Sequence, residues 1–194
     1  MARKRSKKQV SSVYQLKVTL RNAKPPIWRR VLVPSSMNLG DLHEVLQIVM
    51  GWSDCHLHQF IAGSITFGML DDEFADDFVT EDETEHVLSE VLVKEKDSLT
   101  YEYDFGDGWE HKIVLEKILP FDGSIHVPSC IKGKRACPPE DCGGVWGYEN
   151  LIEIIQEPSH PEHEDMLEWV GAEFDPEHFD IEQINAILLE SWAP

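Results

Sequence analysis

The chain predicts an α+β domain: a mixed, mainly antiparallel sheet with a β-β-α-β-β start, a later β-hairpin, and three C-terminal helices. Three observations carry this. Period-two alternation marks strands near the N-terminus around one amphipathic helix. Residues 101 to 111, Tyr-Glu-Tyr-Asp-Phe-Gly-Asp-Gly-Trp-Glu-His, hold alternating aromatics about a tight Gly-Asp-Gly turn. Helical spacing with capping residues then closes the chain. Strands and helices are segregated, which argues against a parallel doubly wound sheet, and the opening order is β-grasp-like.

Tyr14, Leu16, Val18 and Leu20 alternate as a first strand. The Asn22-Ala-Lys-Pro-Pro turn leads to a second strand over Ile27 to Val33, where proline is tolerated only at the start. Leu42, Val45, Leu46 and Val49 recur at helical spacing, with Asn38 as N-cap, Asp41 three residues on, and Gly51 as terminator. His56 to Ile61 resumes alternation and Ile65 to Gly68 returns as a short partner. Asp71 to Glu85 carries nine acids in fifteen residues without a calcium-loop pattern, so it reads as a solvated surface loop. A short helix near Val87 to Val93 precedes the hairpin, and residues 119–147, rich in Gly, Pro and Cys, read as a long loop. The closing helices are marked by Leu151, Ile154 and Ile155; by Pro161 with Met166, Leu167 and Val170 up to Gly171; and by the Asp180/Gln183 capping box before Ile184, Ile187 and Leu188.

In the hairpin, a three-residue Gly106-Asp107-Gly108 loop pairs Phe105 with Trp109, Tyr103 with His111 and Tyr101 with Ile113, keeping the rings on one face. On the other face Glu102 meets Lys112, but Asp104 opposes Glu110, which is unfavourable by up to ~1 kcal/mol. Either that pair splays into solvent, or a cation, a donor or a metal sits there; Asp104 can also bond the turn amides.

The 194 residues suit a single domain over 12–194, preceded by a basic tail, residues 1–11, that reads as disordered. Residues 1–40 hold ten of the 17 basic residues and no acid, leaving the remainder at −29 within a net charge of −19. So acidic a body repels phosphate backbones, which confines nucleic-acid contact to the tail. No run of eighteen apolar residues exists, so no membrane span is expected. Four widely spaced cysteines fit a reducing cytoplasm.

His56-Leu57-His58, read as strand, puts two imidazoles on one face, a spacing that suits metal ligation as well as simple packing with Phe60. Asp104, His111, Cys137 and Glu140 are candidates for the further ligands. Cys55, Cys130, Cys137 and Cys142 lack the Cys-x-x-Cys spacing of a zinc knuckle, so buried free thiols are their ordinary reading. Phosphate-loop, Gly-x-Ser-x-Gly and His-Glu-x-x-His patterns are missing.

Three blocks give the chain a family likeness: Gly51-Trp52 through His56-Leu57-His58-Gln59-Phe60, the YDFGDGWEH hairpin, and CPPEDCGGVWGY from Cys137 to Tyr148. With PPIWRRV and FDPEHFDIEQIN, they make it similar to the plasmid pRiA open-reading-frame-three-like family over residues 12 to 190. The resemblance implies one compact α+β domain of prokaryotes, found on chromosomes and mobile elements, and implies no activity. Some relatives carry an insertion-element passenger label with a resolvase-like name. No serine-recombinase pattern or helix-turn-helix supports it here. At positions matching the family motifs, the residues expected to form a shared surface are His56, His58, Asp104, Asp107, Trp109, His111, Cys137, Glu140 and Asp141.

Two functions are in competition. One is a non-catalytic binding or adaptor module for a protein or peptide, with Trp109 and Trp146 anchoring the long loop to the sheet. The other is a metal-dependent, hydrolase-like enzyme in which His56, His58 and Asp104 bind zinc or manganese and Glu110 or Glu140 acts as base.

Overall fold

The computed structural model describes residues 12–70, 81–171 and 173–192. The basic tail and the stretch 71–80 of the acidic segment lie outside the described residues. In chain order the elements are β1 (Ser12–Leu20), β2 (Trp28–Pro34), α1 (Leu39–Met50), β3 (His58–Ala62), β4 (Ile65–Gly68), β5 (Glu81–Asp82), α2 (Leu88–Val91), β6 (Ser98–Tyr103), β7 (Trp109–Pro120), β8 (Ser129–Lys134), α3 (Gly144–Gln156), α4 (His163–Val170) and α5 (Ile181–Ser191).

The strands form one sheet in the order β5-β4-β3-β6-β7-β1-β2-β8. Every neighbouring pair is antiparallel except β4–β5. Alternation decides its faces. Tyr14, Leu16, Val18, Phe60, Leu99, Tyr101, Tyr103, Trp109, Ile113 and Leu115 all point inward and are buried. Leu39, Leu42, Val45, Leu46 and Val49 of α1 join them in one core. Each fully buried side chain of this size contributes about 1.5–3 kcal/mol. The outer face is polar, as a one-sided antiparallel sheet allows. There Arg30 forks onto Glu116 (Nη2–Oε1 2.8 Å), which also accepts from Gln15.

The α1 caps match expectation: the Asn38 side chain accepts from the Asp41 amide, and Gly51 turns left-handed at φ 93. Two expectations are corrected. Residues 119–147 are not one loop, because β7 runs on to Pro120 and Ser129–Lys134 forms β8. β8 lies at the sheet edge and shows only one buried residue, Cys130, so no alternation announces it. Glu81–Asp82 is likewise strand, not solvated loop, and the next residue, Glu83, is 3% exposed.

The hairpin register also differs. Tyr103 pairs with Trp109, Tyr101 with His111, and Leu99 with Ile113. The connection is therefore five residues long, with Phe105 exposed in it. The slip is by two, so the inner face keeps its rings. The opposed acids become Glu102 and Glu110, and each finds a donor on its far side: Gln59 for Glu102 (2.7 Å) and Arg21 for Glu110 (3.2 Å).

At the β8 edge, Asn185 of α5 donates to Cys130 O and accepts from Cys130 N, both at 2.8 Å. No described helix is long and apolar enough to cross a membrane.

Candidate functional site

Asp104 ends β6 by turning left-handed, at φ 56. Aspartate tolerates that conformation because its short carboxylate can bond nearby amides. Here Oδ1 accepts from Gly106 N (2.9 Å) and Asp107 N (3.3 Å), and the Asp104 carbonyl accepts from Gly108 N. The turn thus fixes Oδ1 and leaves Oδ2 facing His56. The Asp104 amide donates to Leu57 O (2.9 Å), drawing the segment before β3 against the turn.

A second loop closes over this place. Trp52 Nε1 donates to Pro138 O (3.1 Å). Glu140 accepts from the Ser53 hydroxyl and from Tyr103 OH (2.6 Å), while Tyr103 OH accepts from Cys55 N (3.0 Å). Burial pushes the Glu140 carboxyl up, but the bonds from Ser53 and Tyr103 and the nearby His56 outweigh it and hold it below the usual carboxylate range. Burial, with Glu140 in support, pushes the Tyr103 hydroxyl up, so the phenol stays protonated as donor. Asp107 Oδ2 accepts from Gly143 N (3.1 Å), and Gly144 approaches so closely that a Cβ there would lie 2.4 Å from Asp107 O. Only glycine fits at that contact.

These tethers bring three side chains together. His56 Nε2 lies 3.7 Å from Asp104 Oδ2 and 3.4 Å from Asp141 Oδ1. His56 is 28% exposed, Asp104 11% and Asp141 75%, so the cluster opens to solvent. Like Asp104, Asp141 is left-handed, at φ 59.

His58 does not join them. β3 begins at His58, and the preceding residues follow a turn through Asp54 at φ 56, so the two imidazoles do not share a strand face. His58 instead points inward, its Nε2 2.8 Å from Glu83 Oε2, and its ring stacks on His43 at 3.4 Å and 3°. His43 belongs to a closed cycle of hydrogen bonds. The Asp54 amide donates to Gln47 Oε1 (3.0 Å), Gln47 Nε2 to Tyr101 OH (3.0 Å), Tyr101 OH to His43 Nδ1 (2.8 Å), and His43 Nε2 to Asp54 Oδ1 (2.8 Å). The cycle assigns His43 its neutral tautomer. Burial and the adjacent His58 hold its pKa below the ordinary value, in keeping with that state. Although His43, Asp54 and His58 are close enough to suggest a metal, parallel rings 3.4 Å apart project their lone pairs in separate planes. One ion cannot lie in both. Of the predicted His56, His58 and Asp104, the structure brings His56 and Asp104 together, with Asp141, and places His58 with Glu83.

The other predicted residues separate by depth. Asp107 and Glu140 tether the loops. Trp109 and His111 are fully buried, and neither ring nitrogen of His111 has a well-formed hydrogen bond among the described residues, so both belong to the core beneath the site. Trp146 is 83% exposed and does not pin the loop to the sheet. Burial pushes the Cys137 thiol up against the opposing effect of Arg29, which leaves it neutral and unsuited to attack or ligation. Glu110 sits on the outer face with Arg21, away from this cluster. Sequence reasoning missed His43, Gln47, Asp54, Glu83 and Tyr101. His43 and Gln47 carried a signal: they are polar residues four apart on the apolar face of α1.

Three comparisons bear on identity. A protein of Sinorhizobium fredii, y4hQ, is 40% identical over 188 residues, covering 95% of this chain and 96% of that protein. The crystal structure of a protein of unknown function from Methanosarcina mazei, MM3350, has the same fold, with a TM-score of 0.80 and 40% identity over 89% of this chain and 96% of that one. The model of the plasmid pRiA4b ORF-3-like protein family matches residues 12–183. The chain belongs to the plasmid pRiA4b ORF-3-like family.

Proposed function

We propose that the protein is a binding module whose ligand is engaged through a divalent cation held by His56, Asp104 and Asp141. The separations of 3.4 and 3.7 Å between the ligand atoms carry this reading. They are long for hydrogen bonds. They match the spacing of donor atoms around a tetrahedral ion with bonds of about 2.0–2.2 Å, which is roughly 3.4 Å. One imidazole and two carboxylates suit zinc or manganese. The open side of the cluster supplies the remaining coordination position for a carboxylate, phosphate or carbonyl oxygen of the ligand.

Hydrolysis is the second reading, favoured by that same open position, where a bound water would ionise near pH ~7. Glu140 is then an orienting group and not the base, because both its neighbours donate to it and its pKa is held low. A protein or peptide partner fits either reading, with exposed Trp146 at the start of α3 as an aromatic contact beside the Cys137–Cys142 loop.

Metal analysis of untagged protein, dialysed against micromolar zinc or manganese, tests the proposal. About one equivalent should be retained, and Asp141→Asn, at an exposed position that leaves the fold untouched, should lower retention at least ~10-fold. Wild-type protein that retains no metal, or a variant that retains as much as wild type, refutes it.

A further inference from the structure

Arg29 is the second residue of β2 and is 2% exposed. Its Nε donates to Val49 O at 2.7 Å, and Nη1 donates to Trp28 O and Lys134 O, both at 3.0 Å. The guanidinium carbon stands 4.6 Å from the centre of the Phe179 ring. Among the described residues no carboxylate pairs with it and Nη2 has no acceptor. The ionisable groups that influence it are the thiols of Cys137 and Cys130, and burial pushes both up into the neutral form. A buried guanidinium keeps its charge, and buried charges are ordinarily paired. This one is solvated by backbone carbonyls and one ring face, with two N–H bonds to spare.

Arg29 also lines a cavity of about 360 Å³ between the end of α1, the Cys137–Glu140 loop and the start of α5. That size is within the range of small-molecule sites. Its walls are largely apolar, from Met50, Trp52, Val170, Phe174, Phe179 and Ile184. Two acids, Glu140 and Asp180, share the lining, and Asp180 Oδ1 is already committed to the amides of Glu182 and Gln183. His178 lines it as well, and the single guanidinium charge can neutralise a monoanion but not a dianion such as phosphate. We infer that this cavity is a binding site for a small monocarboxylate with an apolar body, the carboxylate received by Arg29 Nη2 and the body packed between Trp52, Phe174 and Phe179. None of His56, Asp104 and Asp141 lines it, although Glu140 of the loop that carries Asp141 forms part of its wall, so no metal ligand takes part in this site.

Calorimetric titration of the full chain with hexanoate, hexanol and inorganic phosphate tests the inference. Hexanoate should saturate one site with millimolar affinity, hexanol should bind at least ~10-fold more weakly, and phosphate should give no saturable heat. Chelator should leave the hexanoate isotherm unchanged, since no metal is involved. Arg29→Gln should abolish the preference for the acid. Because Arg29 also ties α1 to the sheet, that variant can fail to fold. Val170→Trp, which fills the cavity and spares Arg29, should then abolish hexanoate binding on its own. Equal binding of hexanoate and hexanol, binding undiminished in Val170→Trp, or no saturation by roughly 20 mM overturns the proposal.

Discussion

His111 sits mid-sheet on β7, fully buried, with Trp52 edge-on at 5.2 Å and Tyr101 at 5.5 Å, and neither ring nitrogen has a well-formed hydrogen bond among the described residues. Burial pulls its pKa from 6.5 down to about 4, against the opposing effect of the Trp109 and Tyr101 backbone. In the window between those values the unfolded chain binds a proton that the folded chain refuses. Stability is therefore lost as pH falls through 6.5, and the loss levels off below about 4. At ~1.4 kcal/mol per unit, the displacement is worth about 3 kcal/mol between pH 7 and pH 4. His111→Phe keeps an aromatic ring against Trp52 and removes the titration. Urea unfolding at half-unit pH steps should show the wild-type free energy falling by about 3 kcal/mol more than that of the variant over this interval. Parallel acid limbs in the two proteins would refute the assignment of a neutral, buried imidazole at this position.

Two further substitutions probe the surroundings of the site. Tyr101→Phe removes the hydroxyl that accepts from Gln47 and donates to His43, opening the cycle and leaving two buried groups unpaired without creating a cavity. It should cost about 2 kcal/mol in urea unfolding, and a change below ~0.5 kcal/mol would show that the cycle is not formed. Gly147→Ala places a Cβ 1.8 Å from Cys142 O, so α3 and the Cys142 turn must part by about an ångström. Its thermal midpoint should fall by several degrees, and metal retention should fall with it because Asp141 rides on that turn. A midpoint within about 1 °C of wild type would refute the close approach.

Much of the frame was legible because local chemistry and burial agree there. Asn38 and Gly51 bound α1 as their side chain and φ preference require, and Asp180 caps α5. The hairpin register was not legible. Shifting the pairing by two leaves every ring on the same face, so alternation cannot distinguish the two registers; the left-handed turn at Asp104 decides. The His58–Glu83 contact was hidden for a different reason. Glu83 lies in a run of acids whose composition signals solvent, and only the parallel pairing of β5 on β4 carries it inward to an imidazole 25 residues away. At the site, the Cys137–Asp141 motif was recognisable, but its division of labour was not: Glu140 clamps and Asp141 presents, a difference set by one left-handed residue.

The Asn185 side chain imitates a neighbouring strand, offering Cys130 one donor and one acceptor at the spacing a peptide group would. A sheet that ends this way is sealed by a helix. An incoming strand from another molecule would have to evict that amide, already satisfied on both sides, before it could pair at Cys130.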